Sequence, residues 1–433
     1  MEVYNNPNPK DWESLLKRPT ASYEALEPVV SEVFGEVALK GDEALKRYTE
    51  KFDGISLSTI PVDESEIQAA SKGVSEALKQ AITQAKDQIT AFHLAQKTPT
   101  ISVENIPGVL CWQEKRPIEK VGIYIPGGSA PLFSTILMLA VPAQLAGCKE
   151  IILCTPPNKA GGVHPAILFT AALCGISQIF KVGGIQAIAA MTYGTPQIPK
   201  VYKIFGPGNQ YVTVAKQWAT KQGVAIDMPA GPSELLVMAD QTANAAFIAS
   251  DLLSQAEHGA DSQVIFVTTY EPLLAQVAEE LERQLKNLPR KEIAAQAIAN
   301  SKSFFMPNKE AAVALVNSYA PEHYILCVSD EDYYLSNLTS AGSVFVGNYS
   351  PESAGDYASG TNHTLPTNGY ARQYSGVNLD AFLKQMTFQK LTAHGLEQLG
   401  ETIELMAAAE GLEAHKNAVS IRLAAIKNNN KTL

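Results

Sequence analysis

VGIYIPGGSAPLFSTILMLAVPAQLAGCKEIILC, residues 121–154, is the stretch whose reading decides the fold. A short apolar run, VGIYI, meets a proline–glycine turn, and an apolar segment of helical length follows. Gly147 punctuates that segment, and a second short run, IILC, begins at Ile151. Strand, turn, helix and strand in that order make the βαβ unit of a parallel sheet. Its strands are covered on both faces and so read as continuous apolar runs.

The texture continues outward. IFKV at Ile179, VYKIF at Val201, ELLVM at Glu234 and VIFVT at Val264 are strands, each followed by a helix-like segment. FFM at Phe304, YILCV at Tyr324 and SVFVG at Ser343 extend the series around a helix near Lys309 to Tyr319. So many β-α units pack naturally as two doubly wound, incomplete Rossmann-like lobes. The turns of PAGPSE, Pro229 to Glu234, suggest the passage from one lobe to the other.

Upstream, SYEALEPVVSEVFGEVALK and SEALKQAITQAKDQITAF carry apolar residues three or four apart, the period of amphipathic helices, with Gly54 and Pro61 between them. Residues Pro351 to Gly376, rich in Gly, Ser, Thr, Asn and Pro, read as one long loop, a feature that is usually functional. A helical stretch after Gly395, interrupted by Gly411, needs a partner surface for its apolar positions. The expected fold class is α/β, two doubly wound lobes with helical N-terminal and C-terminal segments. The expected organisation is an arm of residues 1–20, a first lobe of 21–120 with 235–375, a second lobe of 121–234, and a helical tail of 376–433.

The chain has 433 residues, 46% hydrophobic and 18% charged, which suits a folded protein of more than one core. Its formal net charge of -10 offers no basic surface for nucleic acid. Met1 to Thr20 is polar, with Asp11 and Glu13, unlike a signal or transit peptide. The run Leu132 to Gly147 is shorter than a membrane span. The expectation is a soluble cytoplasmic protein. The five cysteines form no CxxC pair, and most sit in apolar runs, where a thiol behaves as a small hydrophobe.

Four of the seven histidines lie in polar or glycine-bounded settings: His258, His323, His363 and His415. Gln255 and His258, three apart near the end of a helix stopped by Gly259, share a face. With Asp356 and His415 they could form a site for zinc or a similar divalent ion. Spacing alone favours the plainer reading, a solvated helix end. Glu322 and His323 sit at the entry to strand YILCV, where a carboxylate beside an imidazole can accept protons. Both reach one site only if the strand has not begun at Glu322; otherwise they are two polar groups at a turn. The glycine turns Tyr124 to Ser129, Val182 to Ala187 and Gly206 to Asn209 follow strands, where ligands of open α/β sheets bind. None matches GxGxxG or a P-loop, so pattern alone names no cofactor.

Together, VGIYIPGGSAPLFSTILMLAVPAQLAGC, VGGIQAIAAMTYGT, GPGNQYVTVAK, MPAGPSELLV, DLLSQAEHG, YAPEH, AGDYASGTNHTLPT and EGLEAHKNAV resemble the histidinol dehydrogenases over residues 116–422. The resemblance implies oxidation of L-histidinol through its aldehyde to L-histidine with NAD. It implies one zinc per subunit on Gln255, His258, Asp356 and His415, and NAD contacts at Tyr124, Gln186 and Asn209. Substrate would meet Ser233, Gln255, His258, His323, Asp356, His363, Glu410 and His415, with Glu322 and His323 as proton acceptors. Cys111 and Cys148 also align with the family, but the chemistry needs no thiol. A homodimer with shared sites is implied, Glu410 and His415 reaching the other chain. Two rivals stand beside this reading: a zinc hydrolase whose metal-bound water is activated by Glu322 or His323, and a non-catalytic two-lobe binding protein.

Overall fold

The structure is a computed structural model describing residues 1–19, 25–127, 131–229 and 231–429. It divides into two compact units, residues 1–96 with 118–382, and residues 97–117 with 383–433. Gly128, Ser129 and Ala230 of the expected turns lie outside the described residues.

The first unit contains two parallel sheets. One orders its strands Gln178–Lys181, Glu150–Thr155, Lys120–Tyr124, Lys203–Phe205 and Ala225–Ile226. The other orders Glu2–Asn5, Lys302–Phe305, Gln263–Thr268, Glu234–Ala239, His323–Cys327 and Ser343–Val346. Leaving aside the N-terminal edge strand, each sheet runs third, second, first, fourth, fifth, the doubly wound order short of its last strand. Each therefore has a switch point where the chain reverses direction across the sheet. In the first sheet it lies between Lys120–Tyr124 and Lys203–Phe205, and in the second between Glu234–Ala239 and His323–Cys327.

All nine apolar runs form strands because parallel strands covered on both sides must be apolar at consecutive positions. The central strands Glu234–Ala239 and Gln263–Thr268 are buried at every residue. Helix Phe133–Ala146 is buried at every position from Ser134 to Ala143, so it has no polar face and belongs inside the unit. It ends at Gly147, whose φ of +88° only glycine adopts without strain. Among the described residues, no helix is long and apolar enough to cross a membrane.

Three expectations are corrected. The N-terminal helices, grouped from sequence with the 235–375 lobe, pack on the five-stranded sheet instead. Val33, Phe34 and Val37 of helix Glu27–Lys40 and Tyr48 of helix Asp42–Asp53 share a core with Ile152, Ile188 and Ile204. Ile82 and Ile89 of helix Glu76–Leu94 share another with Val121, Ile123 and Leu153. An apolar stripe fixes the buried face of a helix but not the sheet that receives it. The 351–376 segment is not all loop, since Glu352–Tyr357 is helical.

The third correction concerns the second unit, whose part of the 376–433 segment is not wholly helical. Leu383–Leu391 is a strand, antiparallel to Val109–Pro117, which pairs in turn with Ile101–Ile106. Its mostly exposed side chains give no apolar alternation to read. Trp112 and Phe388 stack across the sheet with centroids 5.1 Å apart. Helices Ala393–Ala409 and Glu413–Asn429 form a hairpin broken at Gly411, φ +70°.

Candidate active site

The two acidic and basic candidates at Glu322 and His323 are placed by one residue of the neighbouring strand. His323 opens its strand opposite Leu235, and Glu322 precedes it, so the alternation that would send adjacent side chains apart has not begun. The backbone N–H of Glu234 donates to Glu322 Oε2 at 2.8 Å. The Glu234 carbonyl lies 3.1 Å from His323 Nδ1 and accepts its proton. That commitment leaves Nε2, buried and without a hydrogen bond, as the ring nitrogen that can accept a proton when the imidazole is neutral. Burial works against charging this imidazole, but Glu352 and Glu322, 3.7 and 3.6 Å from Nδ1, and Asp356, 3.5 Å from Nε2, hold its pKa well above the ordinary value.

Glu352 and Asp356 stand four residues apart on helix Glu352–Tyr357 and so share a face. Gly355 lets that helix lie against Phe345, since a Cβ there would fall 2.5 Å from the ring. Burial, together with Asp356 and Glu322, pushes the Glu352 carboxyl up, against the pull of His323, and one of its oxygens has no partner. Burial also opposes ionisation of Asp356, yet the adjacent His323 imidazole, 3.5 Å away, and the charges of His363 and His258 hold its pKa below the ordinary carboxylate value.

His258, Glu352 and Asp356 bring ligand atoms within 4.8 Å of one another. Helix Ala245–Ala256, capped by Asn244, carries Gln255 in its last turn, fully buried with both amide atoms unpartnered. His258 lies two residues beyond the helix, so the shared helical face expected from spacing is corrected. The connection is instead a turn in which His258 N donates to Gln255 O at 3.2 Å. His363 donates from Nδ1 to the Asp356 carbonyl at 2.8 Å, and its Nε2 is 3.0 Å from Thr135 Oγ1. Burial lowers its pKa.

A cavity of about 290 Å³ is lined by Ser233, Gln255, His258, Glu322, His323, Asp356 and His363, with Asn209 at its margin. Asn209 also lines a larger cleft of about 1060 Å³, with Tyr124, Gly127, Pro156 and Gly184, at the carboxyl ends of the five-stranded sheet. There Tyr124 Oη accepts from Gly184 N at 3.2 Å, and burial pushes the phenol up to about 12. Gln186 lies beside Gly184, its amide buried and unpartnered. Asn209 Oδ1 caps helix Gln210–Lys221 by accepting from Val212 N at 3.1 Å. Gly206, φ +132°, passes so close to the Tyr124 carbonyl that a Cβ would lie 2.1 Å from that oxygen. Glu410 and His415 belong to the second unit and are exposed there.

Sequence reasoning missed Glu352. The signal was its i, i+4 spacing to Asp356, hidden because the segment reads as loop. All five cysteines are free, and burial pushes the Cys148, Cys174 and Cys327 thiols up to about 12.

Two Rossmann-like sheets, a cavity of buried titratable groups and an adjoining glycine-lined cleft define a two-lobed α/β enzyme. The family model for histidinol dehydrogenase matches residues 16–423. The chain is 56% identical to histidinol dehydrogenase of Bacteroides thetaiotaomicron over 429 residues, 99% of this chain and 100% of that one. It is 51% identical to that of Escherichia coli strain K12 over 427 residues, 98% of each. It is also similar to the crystal structure of histidinol dehydrogenase from Elizabethkingia anophelis, with 58% identity, a TM-score of 0.96 and 99% of each chain covered. The chain belongs to the histidinol dehydrogenase family, oxidoreductases of histidine biosynthesis.

Proposed function

We propose that this enzyme oxidises L-histidinol through L-histidinaldehyde to L-histidine at the expense of two NAD, with Glu322 and His323 as proton acceptors. The observation carrying the reading is that Glu234 holds both acceptors in one buried cavity and leaves His323 Nε2 unpartnered. Gln255, His258 and Asp356 suit zinc: one imidazole with oxygen donors, and a buried amide that lacks any other partner. His415 of a second copy would complete the set, one zinc per subunit. Tyr124 and Asn209, which line the larger cleft, would hold NAD there, with Gln186, whose buried and unpartnered amide lies behind the lining residue Gly184, as a further polar contact. When bound, zinc would fix the substrate through its imidazole and amine nitrogens, and NAD would accept hydride from the carbinol carbon.

The protein's own groups then divide the proton work. In the first oxidation His323 Nε2 takes the hydroxyl proton, which requires the neutral ring. The Glu234 carbonyl holds it in that tautomer, and a divalent cation on Asp356 would offset the carboxylate charge that otherwise keeps the ring protonated. In the second, Glu322 with His323 takes a proton from the water that adds to the aldehyde. Ser233, His363 and the partner's Glu410 would bind substrate, alongside the zinc-binding side chains. Exposed Leu405, Met406, Leu412 and Ile421 on the second unit's helical hairpin support pairing as a homodimer. A cytoplasmic location is part of the same proposal.

The test separates the two half-reactions in single turnovers begun from alcohol and from aldehyde. Glu322→Gln is expected to slow aldehyde oxidation at least tenfold more than alcohol oxidation, and His323→Asn to slow both by about 10²-fold or more. Equal losses in both half-reactions for Glu322→Gln would remove its special role.

A further inference from the structure

Resting on that reading of Glu322 and His323, we propose that the buried Arg18–Glu234 ion pair is a positioning device that sets both proton acceptors from outside the cavity. Glu234 holds the acceptors with its main chain, its N–H on Glu322 and its carbonyl on His323 Nδ1. Its side chain points elsewhere and carries a charge that the strand's role as core does not need.

That carboxylate is 1% exposed and held bidentately by Arg18, Nε to Oε1 and a terminal nitrogen to Oε2, both at 2.8 Å. The same guanidinium donates to the Tyr319 carbonyl at 2.7 Å and lies 4.0 Å above the Tyr319 ring. Asn368 N also donates to Glu234 Oε1. Three separate segments thus meet at this ion pair: the N-terminal arm supplies Arg18, the end of helix Lys309–Tyr319 holds the guanidinium, and the stretch following His363 donates to the carboxylate. Tyr319 closes the circuit, because its chain reaches Glu322 three residues later.

The geometry is more than a surface ion pair can supply. A planar guanidinium bound at two oxygens and stacked on a ring fixes orientation as well as distance. The fixed object is the main chain of one residue, whose N–H and C=O, in the two peptide groups flanking its Cα, bind one oxygen of Glu322 and one nitrogen of His323 and leave the others free. Burial tends to raise the Glu234 carboxyl, and Arg18 opposes this. Replacing one partner alone leaves an uncompensated group in the interior, whereas replacing both with apolar residues of similar length is often tolerated.

Three variants are therefore compared with the parent: Glu234→Gln, Arg18→Lys and the double Arg18→Met, Glu234→Met. Each is assayed for kcat and KM with L-histidinol, melting temperature and zinc content by elemental analysis. The expected result is a split: kcat lower by about tenfold in Glu234→Gln and in the double variant, with KM for L-histidinol within about twofold and zinc at the parent level. Arg18→Lys, which keeps the charge but not the fork, is expected to fall between. If Glu234→Gln does not fold, the double variant alone decides. Parent kcat in any folded, zinc-loaded Glu234 variant overturns the positioning role and leaves a merely structural pair. Glu322→Gln and His323→Asn run in parallel separate the two failures. If these keep parent kcat, the acceptor assignment fails and this proposal with it; if they lose activity while the Glu234 variants do not, only this proposal falls.

Discussion

His93 shows how a single side chain is read only with its partners in view. It is fully buried at the end of helix Glu76–Leu94, its Nδ1 donates to the Ile89 carbonyl at 2.8 Å, and its Nε2 accepts from Asn362 Nδ2 at 3.3 Å. Asn362 also donates to the Met138 carbonyl and accepts from Thr364 N, so the residue beside His363 is tied to two helices. A neutral ring satisfies every atom, and burial accordingly lowers the His93 pKa. The unfolded chain takes up a proton near pH 6.5 while the folded chain resists it, so stability is lost as pH falls below about 6.5, until the lowered folded pKa is reached. His93→Gln removes this dependence. The drop in melting temperature between pH 7.5 and pH 5.5 should be smaller in the variant than in the parent, and an equal drop would show that other groups govern the acid limb.

Elements matter through what their close packing permits. Helix Glu352–Tyr357 brings Glu352 beside His323 and Asp356 into the cavity only because Gly355 lets it approach Phe345 and Thr361. Gly355→Ala puts a methyl group 2.5 Å from the ring and 3.0 Å from Thr361 Oγ1, so the helix must retreat and take both carboxylates with it. Overpacking of this kind costs about 1–3 kcal/mol. A lower melting temperature accompanied by reduced zinc content is expected, and full zinc with only lowered stability would separate the helix position from metal binding. The corresponding reason explains why the segment escaped reading as a helix. Six residues with an internal glycine have little intrinsic helicity, and tertiary packing supplies what propensity does not.

Across the whole molecule, Glu410 and His415 are exposed on the second unit, while the other proposed zinc and substrate side chains line one cavity of the first. Under the proposed exchange between two copies, co-expressed His323→Asn and His415→Asn chains recover activity. A mixed dimer then gathers both defects in one site and leaves the other intact. Random assembly makes about half of the dimers mixed, so about a quarter of wild-type sites should return. The measurement needs dimers shown to be mixed and zinc-loaded. No recovery in those dimers would reject sharing and leave the family assignment untouched.

The nine strands from VGIYI to SVFVG were legible from local texture alone, because a parallel strand must be apolar along its length whatever lies beside it. Glu322 and His323, and the histidines at 258 and 363, were legible as unusual polar residues at element ends. Their joint cavity was not, for it pairs carboxyl ends of one sheet with amino ends of the other. In the five-stranded sheet the cleft lies where doubly wound folds bind ligands, beside Tyr124 and Gly206. In the six-stranded sheet the carboxyl side of the switch point is closed by Asp240, which accepts from Thr242 N at 2.8 Å and Ser329 N at 2.7 Å, and the cavity takes Ser233, Glu322 and His323 from the opposite end. Nor could spacing place Arg18 on Glu234, 216 residues away, or the N-terminal helices on the five-stranded sheet. Periodicity records which face of an element is buried; which partner covers it, and which sheet end becomes a site, is settled only when distant segments compete for the same surface.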